Sequence, residues 1–285
     1  MNLVMETFGR AIKPLFGTGV GRLPGVVPIY KYIWRHFGPK GIRLVEANGV
    51  KLYINCRDGA IFPSLSFGHI WEPAETGVFK QSVKEGMTII DAGAHIGYYS
   101  LLASRLVGSK GKVYAFEPSP ECLGLFHRNI QLNNCKNIQV FEKALTGKSG
   151  YTMFYLDRDN LASGSILKVP QSRQRIEVST ITLDEAIGDE RVDFIKMDIE
   201  GGETKALSGA VKTIENNINL EMMIEVFPER LVGAGSSLKE YVELLQYHFR
   251  LYIIRKCGLT GEAGLQDIRK AVRRAGSINL FCRRR

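Results

Sequence analysis

The chain has 285 residues, 45% of them hydrophobic, enough for one large α/β domain or two small ones with a real core. Its formal charge is +9, and its five cysteines (Cys56, Cys122, Cys135, Cys257, Cys282) are scattered with no CxxC pair, which argues against a disulfide framework or a zinc site and for a reducing compartment. No apolar run reaches the roughly 20 residues that span a bilayer, and Glu6, Arg10 and Lys13 interrupt any signal-peptide core, so a soluble, cytoplasmic protein is expected.

Much of the positive charge falls late, at Arg269, Lys270, Arg273, Arg274 and Arg283–Arg285. A solvated basic face is the simpler reading of that tail; contact with nucleic acid, anionic lipid or a phosphorylated substrate is the sharper one. At the other end, Pro28 to Phe37 places Tyr30, Ile33, Trp34 and Phe37 at helical spacing, flanked by Lys31, Arg35 and Lys40. Such a segment can cap the main domain or make a peripheral contact with a membrane surface. The runs Ile42–Glu46 and Val50–Asn55, joined by Asn48-Gly49, predict a β-hairpin. These elements form an N-terminal extension over residues 1–65, ahead of a main domain over 66–285. Gly68–Lys80 is expected to be a helix, with His69, Trp71 and Glu72 able to reach over the loop that follows.

Met87–Ser100 organises the rest. Thr88, Ile89 and Ile90 predict a strand ending at Asp91, a loop punctuated by Gly93 and Gly97 follows, and a helix runs to Val107. Glycines in such a loop let backbone approach a ligand that a Cβ would block. Lys112–Phe116 is a second strand ending in Glu117-Pro118. Ser119 and Pro120 open a helix that carries Leu123, Phe126 and Ile130 inward. Strands are expected over Ile138–Phe141, Phe194–Met197, Leu220–Val226, Arg250–Ile254 and Ser277–Cys282, with β runs at Gly150–Leu156 and Ile176–Ile181 bracketing a polar loop. Helices are expected over Leu183–Ile187, Glu203–Ile214 and Leu238–Tyr247. The alternation predicts an α/β protein with a parallel sheet covered by helices on both faces. A long loop, with no convincing helix, separates the last two strands and predicts that they pair as a hairpin.

Four of the first five strands end in an acid: Asp91, Glu117, Asp198 and Glu225. Ligands bind at the carboxyl ends of such sheets, so these acids ring one crevice. Glu117, closing the second strand, is placed to accept hydrogen bonds from both hydroxyls of a ribose. The loop reads Asp91-x-Gly93-x-x-x-Gly97, and a carboxylate there would repel a pyrophosphate while suiting an ammonium and a sulfonium. The cofactor implied is S-adenosylmethionine.

The segments IIDAGAHIGYYSLLA, VYAFEPSPECLGLFHRNIQLN and VDFIKMDIEGGETKALSGA resemble the FkbM family of S-adenosylmethionine-dependent methyltransferases, with similarity from about Trp71 to Pro228. The resemblance implies a Rossmann-like class I methyltransferase fold: a seven-stranded, mostly parallel sheet with an antiparallel C-terminal strand. It also implies methyl transfer to a hydroxyl of a sugar or secondary metabolite. His95 departs from the family, whose members usually carry Asn in that loop. The residues expected around the cofactor are Glu72, Asp91, Gly93, Ala94, His95, Gly97, Tyr98, Glu117, Pro118, Ser119, Lys143, Ala144 and Asp198, with Lys143-Ala144-Leu145 along the adenine.

An alcohol needs a base before it attacks a methyl group. Asp198 is the first candidate for base or substrate anchor, Glu200 and Glu225 follow, and His69 is the imidazole alternative. Glu200 could instead cap the helix after it, and Glu225 could sit in a salt bridge. Asp198 with Glu225 could also hold a divalent cation, but the spacing does not demand one and no metal is expected. Ser163-Gly164-Ser165 is either an acceptor-side loop or a surface turn. His36, His127 and His248 are read as structural or exposed. The acceptor is expected to be a small molecule, a glycan or a lipid-linked sugar. Two alternatives stand beside this reading. One is an RNA methyltransferase, prompted by the basic charge and by Asn129 to Asn133, but opposed by the Asp198/Glu200 pair and the lack of an added RNA-binding module. The other is a binding module that kept the fold without catalysis.

Overall fold

Asn48 and Gly49 both take left-handed backbone (φ 51° and 76°), and this two-residue turn folds β1 (Ile42–Ala47) back on β2 (Val50–Asn55) in the register expected from the sequence. The computed structural model describes residues 38–59, 61–156, 164–168 and 174–285. The amphipathic segment anticipated over residues 28–37, His36 and Ser163 lie outside them. After the hairpin come α1 (Ile61–Gly68), which the sequence did not suggest, and α2 (Pro73–Ser82). The single helix expected over Gly68–Lys80 is interrupted because His69 and Glu72 are left-handed (φ 56° and 44°), and Pro73 restarts it at a position where its missing N–H costs nothing.

The βα alternation then proceeds through β3 (Thr88–Ala92), α3 (Tyr98–Val107), β4 (Lys112–Phe116), α4 (Pro120–Leu132), β5 (Ile138–Phe141), β6 (Ala144–Leu145), β7 (Gly150–Leu156) and β8 (Gln174–Ile181). It continues with α5 (Leu183–Ile187), β9 (Phe194–Met197), α6 (Glu203–Ser208), α7 (Val211–Asn216), β10 (Glu221–Val226), α8 (Pro228–Gly233), α9 (Leu238–His248), β11 (Phe249–Arg255), β12 (Gly258–Glu262), α10 (Leu265–Ala275) and β13 (Ile278–Arg284). The main sheet runs β12-β11-β13-β10-β9-β3-β4-β5. Its strands from β10 to β5 are parallel, and β13 lies antiparallel between β10 and β11. The sheet is therefore the expected one with an eighth strand, β12, added at its edge. A small second sheet, β6-β8-β7, is inserted between β5 and β9.

Two expectations need correcting. The last two long strands pair antiparallel as expected, but the stretch between them holds β12 and α10 rather than a plain loop. In α10 the buried residues Ile268, Ala271 and Val272 make a narrow apolar stripe at helical spacing, and the surrounding arginines and lysine hid it. The helix expected over Glu203–Ile214 is two helices. At Gly209 a Cβ would lie 2.4 Å from the Thr146 carbonyl oxygen, so the chain turns there to pass another backbone.

Helices cover both faces of the sheet. One face packs Ile90, Phe116, Met197 and Ile224 under α6, α7 and α9. The other packs Ile89, Val113, Phe194 and Phe281 under α2 and α3. Leu52 and Ile54 of β2 and Leu65 of α1 belong to that second core, so the upstream hairpin is built into the sheet's own packing. The free edge of β2 is satisfied by side chains of α4. Asn129 accepts from the Tyr53 N–H (2.6 Å) and donates to Ile96 O (2.9 Å), while Asn133 accepts from the Lys51 N–H (2.9 Å). The asparagines that prompted the RNA alternative thus serve a strand edge. No helix among the described residues is long and apolar enough to cross a membrane.

Asn129 is fully buried. Asn129→Ala leaves the Tyr53 N–H and the Ile96 carbonyl unpaired and is expected to destabilise the protein by about 2–3 kcal/mol, against less than about 1 kcal/mol for Asn133→Ala. Urea unfolding of both variants checks this; equal losses would contradict the assignment.

Candidate functional site

At the carboxyl ends of β3, β4, β5 and β9 a crevice opens, lined by Gly93, His95, Glu117, Pro118, Lys143 and Ala144 on one side and by Asp198 and Glu200 on the other, with Phe154, Gly164 and Ile166 from the inserted region beside them. Backbone bonds fix the loop after β3. The Gly93 and Ala94 N–H groups both donate to Phe116 O (3.0 Å each), and the His95 N–H donates to Glu117 Oε2 (2.8 Å). Both loop glycines are left-handed (φ 81° and 91°), but the neighbours that require them are parts of the protein. A Cβ at Gly93 would lie 1.9 Å from Asp198 O, and one at Gly97 would lie 2.2 Å from the Phe126 ring. Close approach of the chain just past β9 and of α4 thus requires glycine at both positions, and Gly93 also lines the crevice.

Glu117 is buried, and its two oxygens accept from the backbone N–H groups of His95 and Ser119 (2.8 Å each). Burial pushes its carboxyl up to about 7 while those two amides pull it back. Each oxygen keeps a lone pair, so a paired acceptor faces the crevice. Ser119 stands at the start of α4 but makes no side-chain cap; its N–H serves Glu117 instead.

Behind the loop lies a buried cation, Lys196, to which the sequence reading gave no role in the site. Lys196 Nζ is 3.4 Å from Asp198 Oδ2 and 5.1 Å from the centre of the Tyr99 ring. Burial pulls its ammonium down, but Asp198, Asp91 and Glu72 more than reverse this and hold it charged. The available signal was a lysine within FIKM, an otherwise apolar strand buried at every position. Asp91 is 1% exposed; its Oδ2 accepts from Ser100 Oγ (2.5 Å), and its Oδ1 has no hydrogen-bond partner. Burial raises it and Lys196 opposes the rise. Glu72 accepts from the Tyr99 hydroxyl (3.0 Å), and burial, with Asp198 adding, pushes it up to about 7.

Beyond Asp198 the crevice wall is acidic. Glu203 accepts from the N–H groups of Ile199 (2.9 Å) and Gly201 (3.2 Å), which fixes the turn ahead of α6, and neither it nor Glu200 gives that helix a side-chain cap. Glu200 is left-handed (φ 58°) and pairs through Oε2 with Arg230 (2.8 Å). Glu225 has no salt bridge among the described residues, contrary to the alternative raised for it. Carboxylate oxygens of Asp198, Glu203 and Glu225 lie within 4.8 Å of one another, a convergence that could hold a cation and that chain spacing did not reveal. Burial first, and the neighbouring like charges second, push Glu200 up to about 8, Glu203 up to about 7 and Glu225 well above the ordinary range.

Other expected residues are placed elsewhere. His69 is exposed, with Nδ1 3.3 Å from Glu46 O, because its left-handed backbone turns it towards β1; it does not join the crevice. The Tyr98 hydroxyl accepts from Asn48 (2.9 Å) and meets Thr76 (3.3 Å), so its ring braces the hairpin turn. Ser165 donates to Glu200 O (2.7 Å), and a Cβ at Gly164 would lie 2.6 Å from the Phe154 ring, which together bring this segment to the crevice. His127 is exposed and pairs with Glu142.

The Methyltransferase FkbM domain family matches residues 91–258, more than half of the chain. Among characterised relatives, Methyltransferase 1 of Beauveria bassiana is 28% identical over 145 residues, covering 42% of this chain and 57% of the relative. Methyltransferase sdnD of Sordaria araneosa is 28% identical over 156 residues, covering 42% and 59%. The chain thus spans less than two thirds of the length of both. Among solved structures, a SAM-dependent methyltransferase from Aquifex aeolicus aligns at 19% identity and a TM-score of 0.43, covering 78% of this chain and 93% of that one. A SAM-dependent O-methyltransferase from Thermotoga maritima aligns at 16% and 0.44, covering 88% and 80%.

Glu72, Glu117, Glu200 and Glu203 keep protons in the folded state at pH values where the unfolded chain, near 4.5, has released them. Their contribution to stability is complete below about 4.5 and is lost as pH rises through about 7 to 8. Urea midpoints of the ligand-free protein are therefore expected to fall across that window, and Glu225→Gln should flatten the fall. A midpoint that climbs with pH would contradict the electrostatics described.

Proposed function

The chain belongs to the FkbM methyltransferase family, and on that premise we propose that it is an S-adenosylmethionine-dependent methyltransferase acting on a hydroxyl of a sugar, glycan or secondary metabolite. The observation that carries the reading is Glu117. A buried carboxylate at the end of β4, held by two backbone amides and with no cation in contact, presents two adjacent acceptors, as the vicinal hydroxyls of a ribose require. Pro118, Lys143 and Ala144 continue the same wall towards the adenine. Asp91 suits the donor's positive end, since its unpartnered buried oxygen is costly unless a donor group meets it.

Bound there, S-adenosylmethionine supplies an electrophilic methyl on a sulfonium, displaced in line by the acceptor oxygen. The chain's part is to orient the acceptor, exclude water and take its proton. Asp198 is the residue proposed for that proton, because it stands at the end of β9 on the crevice wall and Lys196 fixes one of its oxygens. Glu225 and Glu200 are proposed as hydrogen-bonding partners of the acceptor, with Arg230 holding the latter in place.

Calorimetry with S-adenosylmethionine and S-adenosylhomocysteine tests the donor site: both should bind, and Glu117→Gln should weaken each by about ten- to a hundredfold through loss of charge-assisted bonds. Absence of binding by the parent protein would refute the reading. Mass spectrometry of glycans and metabolites, with and without the protein, should show one methyl group missing. On the acceptor so found, Asp198→Ala should cost a factor of about 10²–10⁴ in turnover; full turnover would remove Asp198 as the base.

A further inference from the structure

His95 and Asp58 form a buried pair that the donor and acceptor roles leave unused. His95 has left-handed backbone (φ 53°), and its N–H is taken by Glu117. Its side chain keeps 16% exposure in the crevice it lines, while Nε2 is buried, makes no hydrogen bond among the described residues and lies 3.4 Å from Asp58 Oδ2, an ion pair when the imidazole carries its second proton. Asp58 is 1% exposed, and its other oxygen accepts from the Ile61 N–H (3.0 Å), which caps the first turn of α1. One carboxylate therefore stands between the loop after β3 and the upstream helix and ties them when His95 is charged. The other charged groups that act on the ring are Lys196 and Asp198 from the β9 end; Glu117, just past β4, takes the backbone N–H of His95, and Glu121 and Cys122 of α4 stand on the side of Asp58 and Glu117. Burial pulls the imidazole below its ordinary 6.5, and Asp58 pulls it back up. Its charge accordingly changes on the acid side of neutrality.

We propose that His95 and Asp58 are a strut between the donor loop and α1, and that the strut's charge sets how strongly the crevice holds a cationic methyl donor relative to its uncharged product. This rests on the donor reading above. S-adenosylmethionine carries a net positive charge in its sulfonium, whereas S-adenosylhomocysteine is a neutral thioether. A proton gained by His95 places a positive charge in the crevice wall, which repels the donor and spares the product. For charges within about 10 Å in a partly screened interior the effect is on the order of tenfold in affinity. Glu117 and Glu72, both pushed up to about 7, lose negative charge over the same range and also weaken the donor. A single pH profile therefore does not isolate His95, but variants do.

The test is calorimetry of the full chain with S-adenosylmethionine and S-adenosylhomocysteine between about pH 5 and 8, a span that brackets the ordinary imidazole value. The proteins are the parent, His95→Asn and Asp58→Asn, each with its unfolding midpoint at every pH. Asn tolerates left-handed backbone and caps helices, so both variants keep the local fold. The donor-to-product affinity ratio should fall towards acid about tenfold more in the parent than in His95→Asn. In Asp58→Asn the extra fall should move to lower pH, because the carboxylate favouring the imidazolium is gone. Coincident ratios for the parent and His95→Asn at every pH would overturn the strut while leaving the donor site standing. Absence of binding of both ligands to the parent would overturn the donor site, and the strut with it.

Discussion

Burying an ammonium is costly unless carboxylates surround it, and burying carboxylates is costly unless a cation joins them. Lys196 resolves both problems at one point. It comes from the middle of β9, and its charge is balanced by Asp91 on β3, by Asp198 just past β9 and by Glu72 ahead of α2, with the Tyr99 ring of α3 against it. Four separate segments are thereby held to one centre beneath the crevice. Removing the cation would leave three acids facing one another, and removing one acid would shift the balance for the other two. The loop after β3 and the crevice wall at Asp198 both border this arrangement.

The two sides of the crevice use their acids differently. On one side Glu117 is satisfied by two backbone amides, which hold its carboxylate in place. On the other side Asp198, Glu203 and Glu225 crowd together, and burial first, with the neighbouring like charges second, keeps protons on Glu203 and Glu225 that would be lost in water. Such a wall can donate as well as accept hydrogen bonds at neutral pH, which is useful for orienting a molecule rich in hydroxyls. The segment around Gly164 and Ser165, pinned to Glu200 and to Phe154, places the inserted sheet against this wall.

The upstream unit is part of the same design. The hairpin and α1 contribute Leu52, Ile54 and Leu65 to the core that also holds Phe194 and Phe281. Asn129 and Asn133 replace the missing neighbour strand of β2, Glu72 enters the Lys196 centre, and Asp58 meets His95. The extension is thus built into the packing of the main sheet, and its Asp58 reaches the ring of a residue that lines the crevice.

Much of the architecture was legible in the chain. Period-two and buried apolar runs mark strands, Asn48-Gly49 marks the hairpin, and acids at strand ends mark the crevice, because these signals depend on neighbours in sequence. The motif residues Asp91, Glu117 and Asp198 carried the family resemblance and with it the fold and cofactor. Contacts between distant segments were not legible. Gly93 and Gly97 were read from their place in the loop, but the Asp198 carbonyl and the Phe126 ring that also require glycine there come from distant segments. Glu203, three residues after Glu200, holds the turn before α6 through the Ile199 and Gly201 amides, and its convergence with Asp198 and Glu225 follows from the adjacency of β9 and β10. His69 and Tyr98 lay near the site in sequence and were turned away by backbone conformation and by the hairpin. Local chemistry determined which residues could serve a methyl-donor site; only tertiary packing decided which neighbours each of them would meet, since burial and charge coupling act through space.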